Sequence, residues 1–71
     1  MIAGYSEDVR RLTPRMVQVL EAAAAGSTIT QTARALGVTE GTVSTIRAAL
    51  CARLDVPNMQ AATYRLGRGE L

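Results

Sequence analysis

The chain has 71 residues, 7.5 kDa in all, which is the size of one small domain. It contains no histidine and one cysteine, so neither a Cys/His metal site, a histidine-based catalytic triad nor an internal disulfide framework can be built from it. The formal net charge is only +2, and its positive charges are all arginine. They concentrate in the middle: Arg10, Arg11, Arg15, Arg34, Arg47 and Arg53 face only Glu21 and Glu40 between positions 10 and 54. A basic centre in a small domain suits either a polyanionic partner or a solvated face. The lone cysteine points to a reducing, intracellular setting.

The N-terminus, Met1-Ile2-Ala3-Gly4-Tyr5, lacks the basic-then-apolar order of a signal peptide, and no apolar run approaches the roughly 20 residues that span a bilayer. Residues 1–11 are expected to form a flexible arm. Thr13-Pro14 then opens a helix: a hydroxyl cap precedes proline at the first helical position. Over residues 14 to 25, Met16, Val17, Val19, Leu20, Ala23 and Ala24 recur at helical spacing, and Gly26 ends the run. Thr28 and Gln31 form a capping-box pattern for a second, short helix that reaches Leu36 and breaks at Gly37.

Thr39 caps a third helix over about residues 40 to 54, with Glu40 in its first turn and Val43, Ile46, Leu50 and Leu54 along one stripe. Asp55-Val56-Pro57-Asn58 is a turn, and Asn58 caps a fourth helix from 59 to about 66. No segment alternates as a strand does, so the fold class is all-α with four helices. A domain over residues 12–67 and a tail at 68–71 follow.

The second and third helices, joined by Leu36-Gly37-Val38-Thr39, have the makings of a helix-turn-helix. Ala33 permits a close crossing, Gly37 can take a positive φ, and Val38 fills the space between the helices. Val43 and Leu50 would pin the third helix to the core, leaving its opposite side free for a DNA major groove. A purely structural helical hairpin fits the same spacing.

The opening Leu12-Thr13-Pro14-Arg15, the pair Val19-Leu20, the central run from Ala33 through Leu36-Gly37-Val38-Thr39-Glu40-Gly41-Thr42-Val43, and Leu50 with Leu54 together resemble the LuxR/GerE-type helix-turn-helix regulators. The resemblance covers about Leu12 to Leu66. Region 4 of sigma factors shares the opening motif. The start of the third helix and the extra helix after Pro57 favour the LuxR/GerE type. The resemblance implies a transcriptional regulator with the third helix reading DNA and the fourth serving dimerisation. Met1 and the short lead-in suggest a stand-alone member rather than a fragment of a multidomain one.

At about 100° per residue, with Val43 facing inward, the outward face of the third helix is Gly41, Ser44, Thr45, Ala48 and Ala52. Members of the resembled family usually carry Lys or Arg at the position of Ser44 and often at that of Ala48. Ile46 stands where a histidine is usual, and Thr32 where an isoleucine is usual. Weaker DNA binding than is typical is the expectation. The candidate DNA contacts are Thr28, Thr30, Arg34, Thr42, Ser44, Thr45, Arg47 and Ala48. Thr28 and Thr42 have capping as an alternative role, and Arg15 has pairing with an acid. Arg10 and Arg11 form either a basic arm or a solvated pair, and Arg53 belongs to the flank of its helix.

On the fourth helix, Met59, Ala62 and Leu66 face the core, while Gln60, Thr63, Tyr64 and Gly67 are the candidate dimerisation face. Tyr64 has a place at the core edge as its alternative. Cys51 is expected to be a small buried hydrophobe. The partners expected are double-stranded DNA and a second copy of the chain, in a bacterial or phage-like cytoplasmic setting at the nucleoid, with no membrane, metal or cofactor. The scattered carboxylates argue against an enzyme. A protein-interaction module of the same fold, modulating RNA polymerase or another regulator with weak or no DNA binding, is the competing reading.

Overall fold

A computed structural model describes residues 11–69. Among them are four helices and no strand: α1 (Pro14–Ala24), α2 (Ile29–Leu36), α3 (Glu40–Leu54) and α4 (Met59–Gly67). The expected arm at 1–11 and tail at 68–71 fall outside the described residues apart from Arg11, Arg68 and Gly69. The all-α, four-helix expectation holds, and each boundary lies within one residue of its expected place.

Every helix start is made by the side chain that the sequence offers for it. Thr13 accepts from the Met16 N–H, Thr28 from Gln31, Thr39 from Thr42 and Asn58 from Ala61. At α2 the box is complete, since the Gln31 Oε1 also accepts from the Thr28 N–H at 2.8 Å. Such caps satisfy donors that have no partner within the helix. Leu12, just before the first cap, and Val17, in the first turn beyond it, both enter the core and set the angle at which the chain joins α1.

Three helices end with one pattern. After α2, Gly37 takes φ 69°, with its N–H bonded to the Arg34 carbonyl and the Val38 N–H bonded to the Ala33 carbonyl. Gly26 takes φ 91° after α1, where the Ser27 N–H reaches the Ala22 carbonyl. After α3 the left-handed position is filled by Asp55, at φ 56°, with the Val56 N–H on the Cys51 carbonyl. Glycine is the usual residue for this closure. Asp55 is tolerated because its short polar side chain suits the left-handed region, but its charge faces the negative end of α3.

The core is a single cluster. Leu12, Met16, Val17, Val19 and Leu20 come from α1 and its lead-in, Val43, Leu50, Cys51 and Leu54 from α3, and Met59 and Ala62 from α4. Val43, Leu50 and Ala62 are wholly enclosed. Ala33 is the buried apolar residue of α2 and belongs to the same cluster. Its neighbour Thr32 is the one buried polar residue among those described. Its hydroxyl donates to the Thr28 carbonyl at 2.9 Å, so a polar atom occupies the core without an unmet donor.

Two arginines fasten α3 from outside. Arg65 of α4 donates to the Leu54 carbonyl at 3.2 Å, satisfying an end group of α3, and Arg53 donates to the Arg11 carbonyl at 2.9 Å. Asp55→Asn keeps the tolerance for the left-handed conformation and removes the misplaced charge. It should stabilise the domain by about 0.5 kcal/mol, a rise of roughly 2–4 °C in melting temperature. Asp55→Val should instead cost more than about 1 kcal/mol. Thermal unfolding followed by circular dichroism measures both.

Candidate nucleic-acid interface

The turn between α2 and α3 lets the second helix lie across the core. Val38 packs against that core, and Gly37 reverses the chain. With Val43, Leu50 and Leu54 buried, the far side of α3 is presented outward, and Gly41, Ser44, Thr45, Ala48 and Ala52 are all exposed. Ile46 is half-buried against the core, at the edge of the apolar stripe.

The hydroxyls on this side are not equivalent. The Thr45 hydroxyl donates to the Gly41 carbonyl at 3.0 Å, one helical turn back. Its proton is therefore in use, and its oxygen is left to accept. The Ser44 hydroxyl has no partner among the described residues. Thr42 shares a hydroxyl–hydroxyl bond of 2.9 Å with the cap Thr39, so its alternative role at the cap is realised, while it remains exposed.

Thr28 is engaged in the capping box of α2, and Thr30 is exposed in the first turn of the same helix. The two helix starts differ in charge. The first turn of α2 contains no acid, whereas Glu40 sits in the first turn of α3. An incoming anion meets repulsion from Glu40 at the α3 start and none from a side chain at the α2 start.

Arg34 is exposed in the last turn of α2. Arg47 is half-buried and lies on the inward flank of the reading side, where it borders two open grooves. One, of about 530 Å³, runs past Ala48, Cys51 and Ala52 to Val56, Pro57 and Met59. The other, of about 270 Å³, lies between the end of α1 and the start of α4. Arg15 is exposed and forms no ion pair among the described residues, so the pairing alternative is not realised there. Arg53 is turned to the Arg11 carbonyl, which fits its place on the flank. Arg10 lies outside the described residues.

On α4, Met59 and Ala62 are buried, and Leu66 packs against the core. Gln60, Tyr64 and Gly67 are exposed, and Thr63 is half-buried. Tyr64 is 62% exposed, the one large apolar side chain so placed among the described residues, which rules out its alternative at the core edge. Arg68 holds the ring. Its guanidinium donates to the Tyr64 hydroxyl at 2.9 Å and lies 5.4 Å from the ring centroid.

Among the features not foreseen from the sequence are two that bear on α3. Arg65 as the end cap of α3 joins positions eleven apart, and nothing local marks it. The back-bonded Thr45 carried a usable signal, since threonine inside a helix often bonds to the carbonyl four residues earlier.

Among the described residues there is no cluster of His, Cys, Asp or Glu able to hold a metal, and no helix is long and apolar enough to cross a membrane. The fold and the outward-facing second helix of its turn define a helix-turn-helix domain. Residues 10–66 match the family model of the bacterial regulatory proteins of the luxR family, and the chain belongs to that family. It is accordingly a DNA-binding domain of transcription regulators, a family not made of enzymes. Neither the curated proteins nor the solved structures compared with the chain gave a match.

Cys51 borders the larger groove yet is buried, and burial pushes its thiol up from its ordinary value, with the nearby Arg47 cation partly offsetting this. The thiolate fraction at neutral pH is thus below that of a free cysteine. The stability linked to this group is present below the unfolded thiol's pKa of about 8.5 and is lost as pH rises through the folded value. Labelling by a disulfide reagent at pH 7.5 should be at least about tenfold slower in the native protein than in denaturant. A native rate equal to the unfolded rate would contradict the buried thiol.

Proposed function

We propose that the chain is a sequence-specific regulator of transcription that binds double-stranded DNA as a homodimer, acting on the nucleoid in a bacterial cytoplasm. The observation that carries this reading is the division of α3. Val43, Leu50 and Leu54 are sealed in the core, and the opposite side is exposed along its length, in a family that binds DNA. In this reading α3 enters the major groove. Ser44, Thr45 and Ala48 meet base edges, and Thr28, Thr30, Arg34, Thr42 and Arg47 meet phosphates. The α2 start is the better anion site of the two, for want of an acid in its first turn.

Dimerisation is assigned to the α4 face of Gln60, Thr63, Tyr64 and Gly67. Its support is the exposed Tyr64 ring, contacted by Arg68 and lying on the side of α4 away from the core. A twofold axis there would set two copies of α3 about one DNA turn apart, on paired half-sites. The second reading is a module that contacts RNA polymerase or another regulator while binding DNA weakly. The observation in its favour is that no arginine stands on the centre of the exposed side of α3.

Binding to random-sequence duplex DNA over a salt series separates the two. The DNA reading expects measurable binding at about 50 mM salt, with a log–log slope of about −2 per protomer from the arginine–phosphate contacts of Arg34 and Arg47. No binding at that salt would leave only the interaction module. Thr45→Asp should abolish binding with helix content unchanged. Tyr64→Asp should give a monomer in sedimentation equilibrium at concentrations where the wild-type chain is a dimer. A dimer that survives the change rejects the α4 face.

A further inference from the structure

The exposed side of α3 states which base edges it can address. At about 100° per residue, Gly41, Thr45, Ala48 and Ala52 fall within an arc of about 60° opposite the buried Val43, and Ser44 stands at the edge of that arc. The side chains at the centre of the arc hold no free hydrogen-bond donor. Two are alanine, one is glycine, and the Thr45 proton is given to the Gly41 carbonyl. What they offer is methyl surface and one accepting oxygen.

Gly41 adds a second point. Its backbone is not in the left-handed region, and a Cβ there would meet only the Thr39 hydroxyl oxygen at 3.9 Å, an ordinary contact. Packing does not require glycine at this place, and glycine is a poorer helix former than alanine. Its effect is to lower the surface where α3 would come nearest to a ligand.

Guanine shows two acceptors in the major groove and is ordinarily read by the paired donors of arginine or lysine. Against the centre of this arc those acceptors would lose water and gain no donor, which is costly, and the Ser44 hydroxyl can donate only from about 40° to one side. Thymine is the base whose major-groove edge carries a methyl group, and Ala48, Ala52 and the Thr45 methyl match it. The Thr45 oxygen can accept from the amine of the adjoining adenine or cytosine.

We infer that the centre of α3 reads thymine methyl groups, so that the half-site recognised by this chain is built on consecutive A·T pairs, with Thr45, Ala48 and Ala52 as its specificity-determining residues. This rests on the proposal that α3 lies in the major groove. Phosphate contacts from the helix starts and from Arg34 and Arg47 position the domain, and the methyl contacts choose the sequence.

The test begins with selection from a randomised duplex library with a variable region of about 20 base pairs, enough for two half-sites a helical turn apart. Thymines in the selected sites are then replaced by uracil one position at a time, which removes the methyl and nothing else from the groove edge. The expected result is selection of A·T pairs at adjacent positions in each half-site. Affinity should fall about fourfold for each contacted methyl removed, as burial of one such group implies. Ala48→Gly should make binding insensitive to one of those uracils. Because glycine weakens a helix interior, Ala48→Arg serves as the second variant, and selection with it should place guanine at one formerly A·T position. Unchanged affinity after every uracil replacement, guanine-centred half-sites for the wild-type chain, or unchanged selection by Ala48→Arg would each overturn the inference while DNA binding stands. Failure to retain any duplex from the library would overturn the DNA reading and this inference together.

Discussion

Burial of one side of α3 is the constraint on which everything else depends. Val43 and Leu50 are fully enclosed and Leu54 nearly so, spaced along one stripe of a fifteen-residue helix. Removing a leucine from such a place typically costs 2–5 kcal/mol, a large part of what holds a domain of this size together. The helix therefore cannot roll about its axis. Thr39 fixes its first turn, Arg65 takes up a carbonyl at its last, and Arg53 ties it to the lead-in of α1. Orientation, rather than affinity, is what the core supplies to the exposed side.

The same economy explains the remaining elements. With so short a chain, α1 has to contribute to the core along most of its length, and it does so through Met16, Val17, Val19 and Leu20. The eight-residue α2 buries only Thr32 and Ala33, so it is held by its complete capping box, by the Gly37 closure and by Ile29 and Leu36 against the core. A small residue at Ala33 brings α2 close to α3. A back-bonded hydroxyl at Thr32 then makes the tight crossing compatible with a polar side chain.

Most of this was legible in the sequence because it is local. Thr13, Thr28, Thr39 and Asn58 each act on a backbone N–H three residues away, and a pattern of that range is visible in a string of letters. The apolar stripe of α3 was legible for the same reason, although Ile46 is only half-buried and Cys51 joins the core in addition. What was not legible joins distant positions or runs against preference. Arg53 and Arg11 are forty-two residues apart, and an aspartate in the left-handed closure stands where glycine would have announced itself. For the candidate site, the exposed side of α3 followed from angles alone. The loss of the Thr45 proton followed only from the position of its hydroxyl beside the Gly41 carbonyl.

The closure at Gly37 has an implication for how such a domain can diverge. Its two backbone bonds, to the Arg34 and Ala33 carbonyls, fix the length of the connection as well as its direction. One residue inserted there would draw the Val38 N–H away from the Ala33 carbonyl and loosen the angle at which α3 leaves the turn. Innovation by insertion is thus costly at the turn. Innovation by point substitution is open, since Ser44, Ala48 and Ala52 contribute neither to the buried core nor to a cap. A lineage carrying this scaffold can change what it recognises while leaving its folding almost untouched, which separates the letters that hold the molecule together from those free to acquire new meaning.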